Sequence, residues 1–293
     1  MPNTVRAKLL LGWMSRNEAM NALNACVFDK HLSNKKATVL WKHYRDKVAA
    51  LEPRKIVPIP EQALTEAEQV IVDEHLRRLN SGPNVKFHPR VIKIHPSDLA
   101  ARQFQVVTER SYQYKQQMED EQTRINHCLG NGLAYNGQAQ LKSRLINPKI
   151  VAIDLPHFEF TILPVGIVNG QIQCQVNEWD RYITAFSTNE GRMVLWGGYH
   201  RIHALLCQLA GDASGGAPLI TVMTGMPDVV KFLAEPSFVR DTVLGDRPAL
   251  LRDFLDEELF MEVNLRKKRA EGRVEIIRPG KFRVGILHVN DNT

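Results

Sequence analysis

No stretch of the chain approaches the roughly 18 consecutive apolar residues that a membrane helix needs. The apolar Leu9-Leu10-Leu11-Gly12-Trp13-Met14 is too short for the core of an export signal, and Arg16 and Glu18 follow at once. It reads as the lead-in to a soluble helix. The four cysteines, Cys26, Cys128, Cys174 and Cys207, form no CxxC pair and are irregularly spaced. That pattern speaks against a zinc site and a disulfide framework, and it fits free, mostly buried thiols in a reducing cytoplasm. No internal repeat of roughly 20–50 residues is present, so solenoids and propellers are excluded. A large charge excess is also missing. The formal charge is +6 and the pI about 9.1, which permits a phosphate-bearing partner without demanding one.

What is present is an ordinary globular composition. The 293 residues are 44% hydrophobic and 24% charged, enough for one large domain or two smaller ones. The first fifty residues read as helical. Ser15 with Glu18, and Thr65 with Glu68, are capping boxes that satisfy orphan N–H groups at helix starts. Ala37, Leu40, Trp41, Tyr44, Val48 and Leu51 share one helical face. Pro53, Pro58 and Pro60 make an extended linker between these helices. Gln103 to Gln122 is polar and reads as helical.

Strands are expected over 85–94, 150–153, 158–163, 171–176, 182–186, 192–196 and 219–223. Asn131-Gly132 and Asn136-Gly137 mark loops, and Asn169-Gly170 a turn between two of these strands. Helices are expected near 199–210, 229–233 and 248–260. A hairpin should close the chain around Pro279-Gly280. The basic run Arg266-Lys267-Lys268-Arg269, with Arg273 and Lys281 nearby, is either a solvated surface or a patch that tracks nucleic-acid phosphates.

The informative segment is Leu195-Trp196-Gly197-Gly198-Tyr199-His200-Arg201-Ile202-His203-Ala204-Leu205. A short apolar strand ends in two glycines and turns directly into a helix, which needs the conformational freedom of glycine. Ile202, Leu205, Leu206 and Leu209 recur as one core-facing stripe. His200, Arg201 and His203 fall off that stripe, in the first turn. Free N–H groups and the helix dipole there favour an anion, and an arginine can clamp a phosphate. Tyr199 is suited either to stacking on a base or to packing on the sheet. His200 and His203, three apart, gain no carboxylate at helical spacing, so no metal site is expected.

Gly198-x-x-Arg201-x-x-Ala204 after an apolar strand resembles the signature of the ParB/sulfiredoxin superfamily. Gly197-Gly198-Tyr199-His200-Arg201 is similar to the sulfiredoxin glycine-glycine-cysteine-histidine-arginine at four of five positions. The resemblance implies that Gly197, Gly198, Tyr199, His200 and Arg201 hold the phosphates of a nucleotide or nucleic acid, for example a nucleoside triphosphate with Mg²⁺. Tyr199 replaces the sulfiredoxin cysteine and cannot act as a thiolate. Tyr199 also replaces the glutamate of the ParB box, and His203 replaces one of its arginines.

The expected fold is α+β. A small mixed sheet with packed helices, a ParB/sulfiredoxin-like core over 83–225, carries an N-terminal helical region over 1–82. A C-terminal helix–hairpin extension follows over 226–293. The expected protein is cytoplasmic and binds nucleotide or nucleic acid. Two alternatives stand beside it. One is a metal-dependent nuclease or small-molecule kinase of the same superfamily, using a carboxylate such as Asp154, Glu159 or Asp180. The other is a non-catalytic interaction protein that keeps the fold.

Overall fold

The structure is a computed structural model. It describes residues 4–28, 32–56, 58–81, 88–130, 143–147, 149–155, 160–168, 171–178, 182–188, 190–211, 216–224, 242–278 and 281–290. Of these, 144, 154–155, 160–168, 171–178, 211, 224, 268–270, 278 and 288–290 are described by their backbone alone. The expected helix at 229–233, the loops at Asn131-Gly132 and Asn136-Gly137, and the turns at Asn169-Gly170 and Pro279-Gly280 lie outside the described residues.

In chain order the first elements are β1 (Thr4–Leu9), α1 (Arg16–Asn24), α2 (Asn34–Ala50), β2 (Glu61–Gln62), α3 (Glu66–Asn80), β3 (His88–Ile94), β4 (Ala100–Ala101), β5 (Gln105–Val107), α4 (Thr108–Gln117) and α5 (Glu121–Leu129). Four strands follow: β6 (Ser143–Asn147), β7 (Ile150–Leu155), β8 (Phe160–Val168) and β9 (Gln171–Glu178). Then come β10 (Thr184–Ser187), β11 (Met193–Gly197), α6 (Tyr199–Gly211), β12 (Leu219–Thr224), β13 (Met261–Arg266), β14 (Lys268–Arg278) and β15 (Lys281–Asn290). The architecture is mixed α+β with several sheets.

The chain divides into two compact units. The larger holds 5–132 and 181–265, and the smaller holds 1–4, 133–180 and 266–293. The smaller unit contains a sheet ordered β15-β14-β7-β6 and the hairpin β8-β9. Its closing hairpin is longer than expected, because β14 begins inside the basic run, at Lys268 opposite Asn290.

The larger unit contains a three-stranded sheet, β13-β1-β5, and a six-stranded mixed sheet, β2-β3-β12-β10-β11-β4. In the latter β3 runs antiparallel to β12, and β12 runs parallel to β10. β10 is antiparallel to β11, which is parallel to β4. Both capping boxes form, at Ser15–Glu18 and Thr65–Glu68. Glu68 also takes two contacts from Lys93 Nζ, at 2.8 and 3.0 Å, which fixes α3 to β3.

Three expectations are corrected. The segment before α1 is a strand, β1, followed by a 3-10 turn at Leu11–Trp13. Ala7 and Leu9 are buried while Arg6 is exposed and Lys8 half-buried, the period of two that a helical reading misses. The Leu9-Leu10-Leu11 run and Trp13 sit at the centre of the core. Gly12 is required by close approach, since a Cβ there would lie 2.5 Å from the Tyr44 carbonyl oxygen on α2. Next, 103–122 is not one helix. Buried Val106 places β5 beside β1, and Asp120 caps a separate α5 through the Thr123 N–H. Finally, 248–260 forms only a 3-10 turn at Leu251–Phe254. There the Asp253 carboxylate accepts from the Leu250 N–H and binds Arg54 instead of facing a helix surface.

Candidate functional site

β11 brings Met193, Val194 and Leu195 into the core and ends at Gly197. The next residue, Gly198, has φ +86° and sends the chain straight into α6. A Cβ on Gly198 would lie 3.0 Å from Ile183 Cγ1 and 3.2 Å from Ile183 Cα, so both the dihedral and the close approach require glycine. Gly197 has no such constraint, because a Cβ there meets only Thr184 Oγ1 at 3.9 Å. Gly198→Ala is therefore expected to cost about 1–3 kcal/mol in urea unfolding, and Gly197→Ala clearly less. Equal losses at the two positions would show that the left-handed turn is not the constraint.

α6 is covered on more sides than its stripe of aliphatics indicates. Besides Ile202, Leu205 and Leu206, the residues Tyr199, Arg201 and His203 are buried. The helix packs against α4, β5 and the 3-10 turns at Pro96–Asp98 and Leu251–Phe254, so a second layer lies where solvent was expected. Arg201 is only 4% exposed. Its Nη1 donates to the His127 carbonyl oxygen at 2.8 Å, in the last turn of α5, and its guanidinium lies 6.0 Å from the Tyr114 ring centre. Cations are favoured at helix C-termini, where carbonyls lack partners.

The expectation that Arg201 stands clear of the core is thus corrected. Arg201→Ala is expected to destabilise the ligand-free protein by about 1–3 kcal/mol, because a buried carbonyl loses its donor. An unchanged unfolding midpoint would show that this contact does not hold α5.

Tyr199 is also consumed internally. Its hydroxyl donates to the Leu195 carbonyl at 2.7 Å. It accepts from the backbone N–H groups of Arg102 at 2.7 Å and Gln103 at 3.0 Å. Burial pushes its pKa up to about 12. Of the two readings for this residue, packing is the observed one: the phenol ties β11 to the chain after β4.

Gly197, Gly198 and His200 are partly buried at the junction. His200 Nε2 is buried and has no hydrogen-bond partner. Burial, then the positive charge of Arg110, hold the imidazole down to about 3, so it is neutral near pH 7. Two arginines that the motif does not contain stand around this end of α6. Arg102, whose N–H meets Tyr199, lays its guanidinium 4.1 Å from the ring centre of Trp196. Arg110 on α4 faces His200 electrostatically. Nothing in the sequence flagged either, since each is far from the motif and is brought there by β4 and α4.

His203, expected off the core face, is 3% exposed and packs edge-on against the Phe254 ring, with centres 6.0 Å apart. Its Nδ1 lies 3.8 Å from Cys207 Sγ one turn on. Both line a cavity of about 700 Å³ together with Lys8. Burial raises the Cys207 thiol and lowers His203 to about 4, so the pair is neutral and not a thiolate–imidazolium couple.

Of the basic run, Arg266 ends β13 and Lys267 follows it, both exposed. The side chains of Lys268 and Arg269 lie outside the described residues. Arg273 is paired with buried Glu271 at 2.8 Å. Asp154 falls on β7, its side chain outside the described residues, as are Glu159 and Asp180 entirely. Among the described residues no group of three or more His, Cys, Asp or Glu could hold a metal ion. No described helix is long and apolar enough to cross a membrane. Comparison with family models, curated proteins and solved structures yields no match to this chain.

Proposed function

We propose that this protein is ParB/sulfiredoxin-like and binds the phosphate of a nucleotide or nucleic acid at the β11–α6 junction. The observation that carries the reading is the left-handed Gly198 turn at the start of α6, beside a partly buried histidine whose Nε2 has no hydrogen-bond partner. The N–H groups of the first turn of a thirteen-residue helix offer donors and the positive end of a dipole. The order β10, β11, α6, β12, with β12 returning parallel beside β10, suits the resemblance read from the motif.

In this reading His200 contacts the phosphate as a neutral hydrogen-bonding group, and Arg102 and Arg110 supply the positive charge. Arg201 acts as a positioning residue that holds α5 against α6. Tyr199 fixes the turn.

The test is a panel of nucleoside mono-, di- and triphosphates and single- and double-stranded DNA, with and without Mg²⁺. Wild type, His200→Ala and Arg102→Ala are compared. Affinity is expected to fall about tenfold or more in each variant, as one lost charge-assisted contact of about 1.5–3 kcal/mol implies. The ligand-free melting temperature should change little for Arg102→Ala, whose guanidinium lies over a half-exposed Trp196 ring. Equal affinity in all three proteins, or no binding by any member of the panel, would refute the proposal.

A further inference from the structure

A second cavity in the larger unit, of about 690 Å³, lies between the 51–60 segment and the start of β11. Arg192 stands there, at the opposite end of β11 from Gly198, six residues and about 20 Å away along an extended strand. The volume is in the range of small-molecule sites.

Two cations in its wall are already paired: Arg54 with Asp253, and Arg252 with Asp98. Arg192 is different. It is only 8% exposed, and Nη1 donates to the carbonyl oxygens of Val243 at 2.7 Å and Gly245 at 2.9 Å. Both acceptors are uncharged. No carboxylate among the described residues lies within ion-pair distance of it, and Glu190 and Asp246 act on it only from further away. Its Nε and Nη2 have no hydrogen-bond partner among the described residues. An arginine charge held this deep without a counter-ion is costly, and the planar fork is suited to two oxygens of one anion. Exposed Lys55 adds a second cation to the wall and exposed Glu52 a carboxylate, while Ile56, Ile59, Met193 and Leu250 make the rest of the lining largely apolar.

We propose that this cavity binds a small organic oxyanion, an apolar body with a phosphate or carboxylate head, whose oxygens take the free edge of the Arg192 guanidinium. The site is separate from the β11–α6 junction and does not depend on it.

Phenyl phosphate and benzoate are the probes, with benzyl alcohol as the neutral control, measured by calorimetry on the full chain. Saturable binding of at least one oxyanion in the millimolar range or tighter is expected, with none for the alcohol. Binding of phenyl phosphate alone assigns a phosphate ester, and binding of benzoate assigns a carboxylate. Ile56 lines the cavity and is 36% exposed, so charge can be placed there without opening the core. Ile56→Glu should weaken binding about tenfold or more, Ile56→Lys should strengthen it, and neither should shift the ligand-free melting temperature. Arg192→Lys keeps a donor for the Val243 carbonyl and should lose the anion. Absence of binding, or equal affinity in Ile56→Glu and wild type, overturns the proposal. So does phenyl phosphate binding that survives Ile56→Glu and vanishes in His200→Ala, because that anion sits at the junction.

Discussion

Replacing Arg54 with alanine is expected to destabilise the protein by about 3–5 kcal/mol, a large part of the total for an ordinary domain. Arg54 lies in the proline-bounded segment that composition marks as a linker. Its guanidinium makes a two-pronged pair with Asp253, Nη1 to Oδ2 at 2.6 Å and Nη2 to Oδ1 at 2.8 Å. Nη1 also donates to the Pro248 carbonyl at 2.8 Å, and the backbone N–H of Arg54 donates to the Asp246 carbonyl at 2.7 Å. Asp253 is 2% exposed, and its carboxylate also accepts from the Leu250 N–H.

Burial already raises the Asp253 pKa against the opposing effect of Arg54. Without the guanidinium that carboxylate is left charged in the core, or takes up a proton, and either outcome is costly. The exposed pair Arg252–Asp98, with side chains half open to solvent, is the control. Arg252→Ala should cost no more than about 1 kcal/mol. Urea unfolding of the three proteins decides the matter. Similar small losses in both variants would show that the buried pair does not anchor the segment.

Acid is expected to have an effect of the same size. His75 is 2% exposed; its Nε2 lies 3.0 Å from Thr221 Oγ1 and its Nδ1 lies 3.4 Å from Arg78 Nη2. Arginine can only donate, so Nδ1 accepts and the proton sits on Nε2, where it is given to the threonine hydroxyl. Burial, then Arg78, lowers His75 to about 4. Burial, then Lys8, lowers His203 to about 4.

Both folded values lie below the ordinary value of 6.5. The unfolded chain therefore binds protons that the folded chain refuses between pH 6.5 and about 4. Stability is complete above that window and is lost as the pH falls through it. At pH 5 the loss relative to pH 7 is about 2 kcal/mol for each of these two histidines, about 4 kcal/mol together. His200, held at about 3, acts in the same direction. Urea unfolding at pH 7, 6 and 5 measures the slope, and His75→Gln should remove about 2 kcal/mol of the loss. A stability that stays flat from pH 7 to 5 would contradict the neutral, buried state of these rings.

Local signals in the chain were legible. Two capping boxes, the aliphatic stripe of α6 and the apolar strands β7, β11 and β12 appear where nearest-neighbour chemistry places them. What could not be read depends on layers and on distant pairing. The stripe Ile202, Leu205, Leu206 and Leu209 marks one covered face of α6, but it carries no sign that α4 covers another and buries Arg201 and His203. Arg54 and Asp253 are 199 residues apart, so no spacing rule joins them. β14 pairs with β7 across more than a hundred residues, which places 150–155 and 268–278 in one sheet of a discontinuous unit. At the site, Gly198 and His200 are visible in the motif. Arg102 and Arg110 are visible only once β4 and α4 are in place.

A phosphate seated on the first turn of α6 is tested by a pyrophosphate titration followed by the amide resonances of Gly198, Tyr199, His200 and Arg201 and by the ring resonances of His200. These amides and the His200 ring are expected to shift together and saturate along one binding curve, with Arg102→Ala moving that curve to higher ligand concentration. Saturable binding that leaves the four amides and the His200 ring unmoved would contradict it.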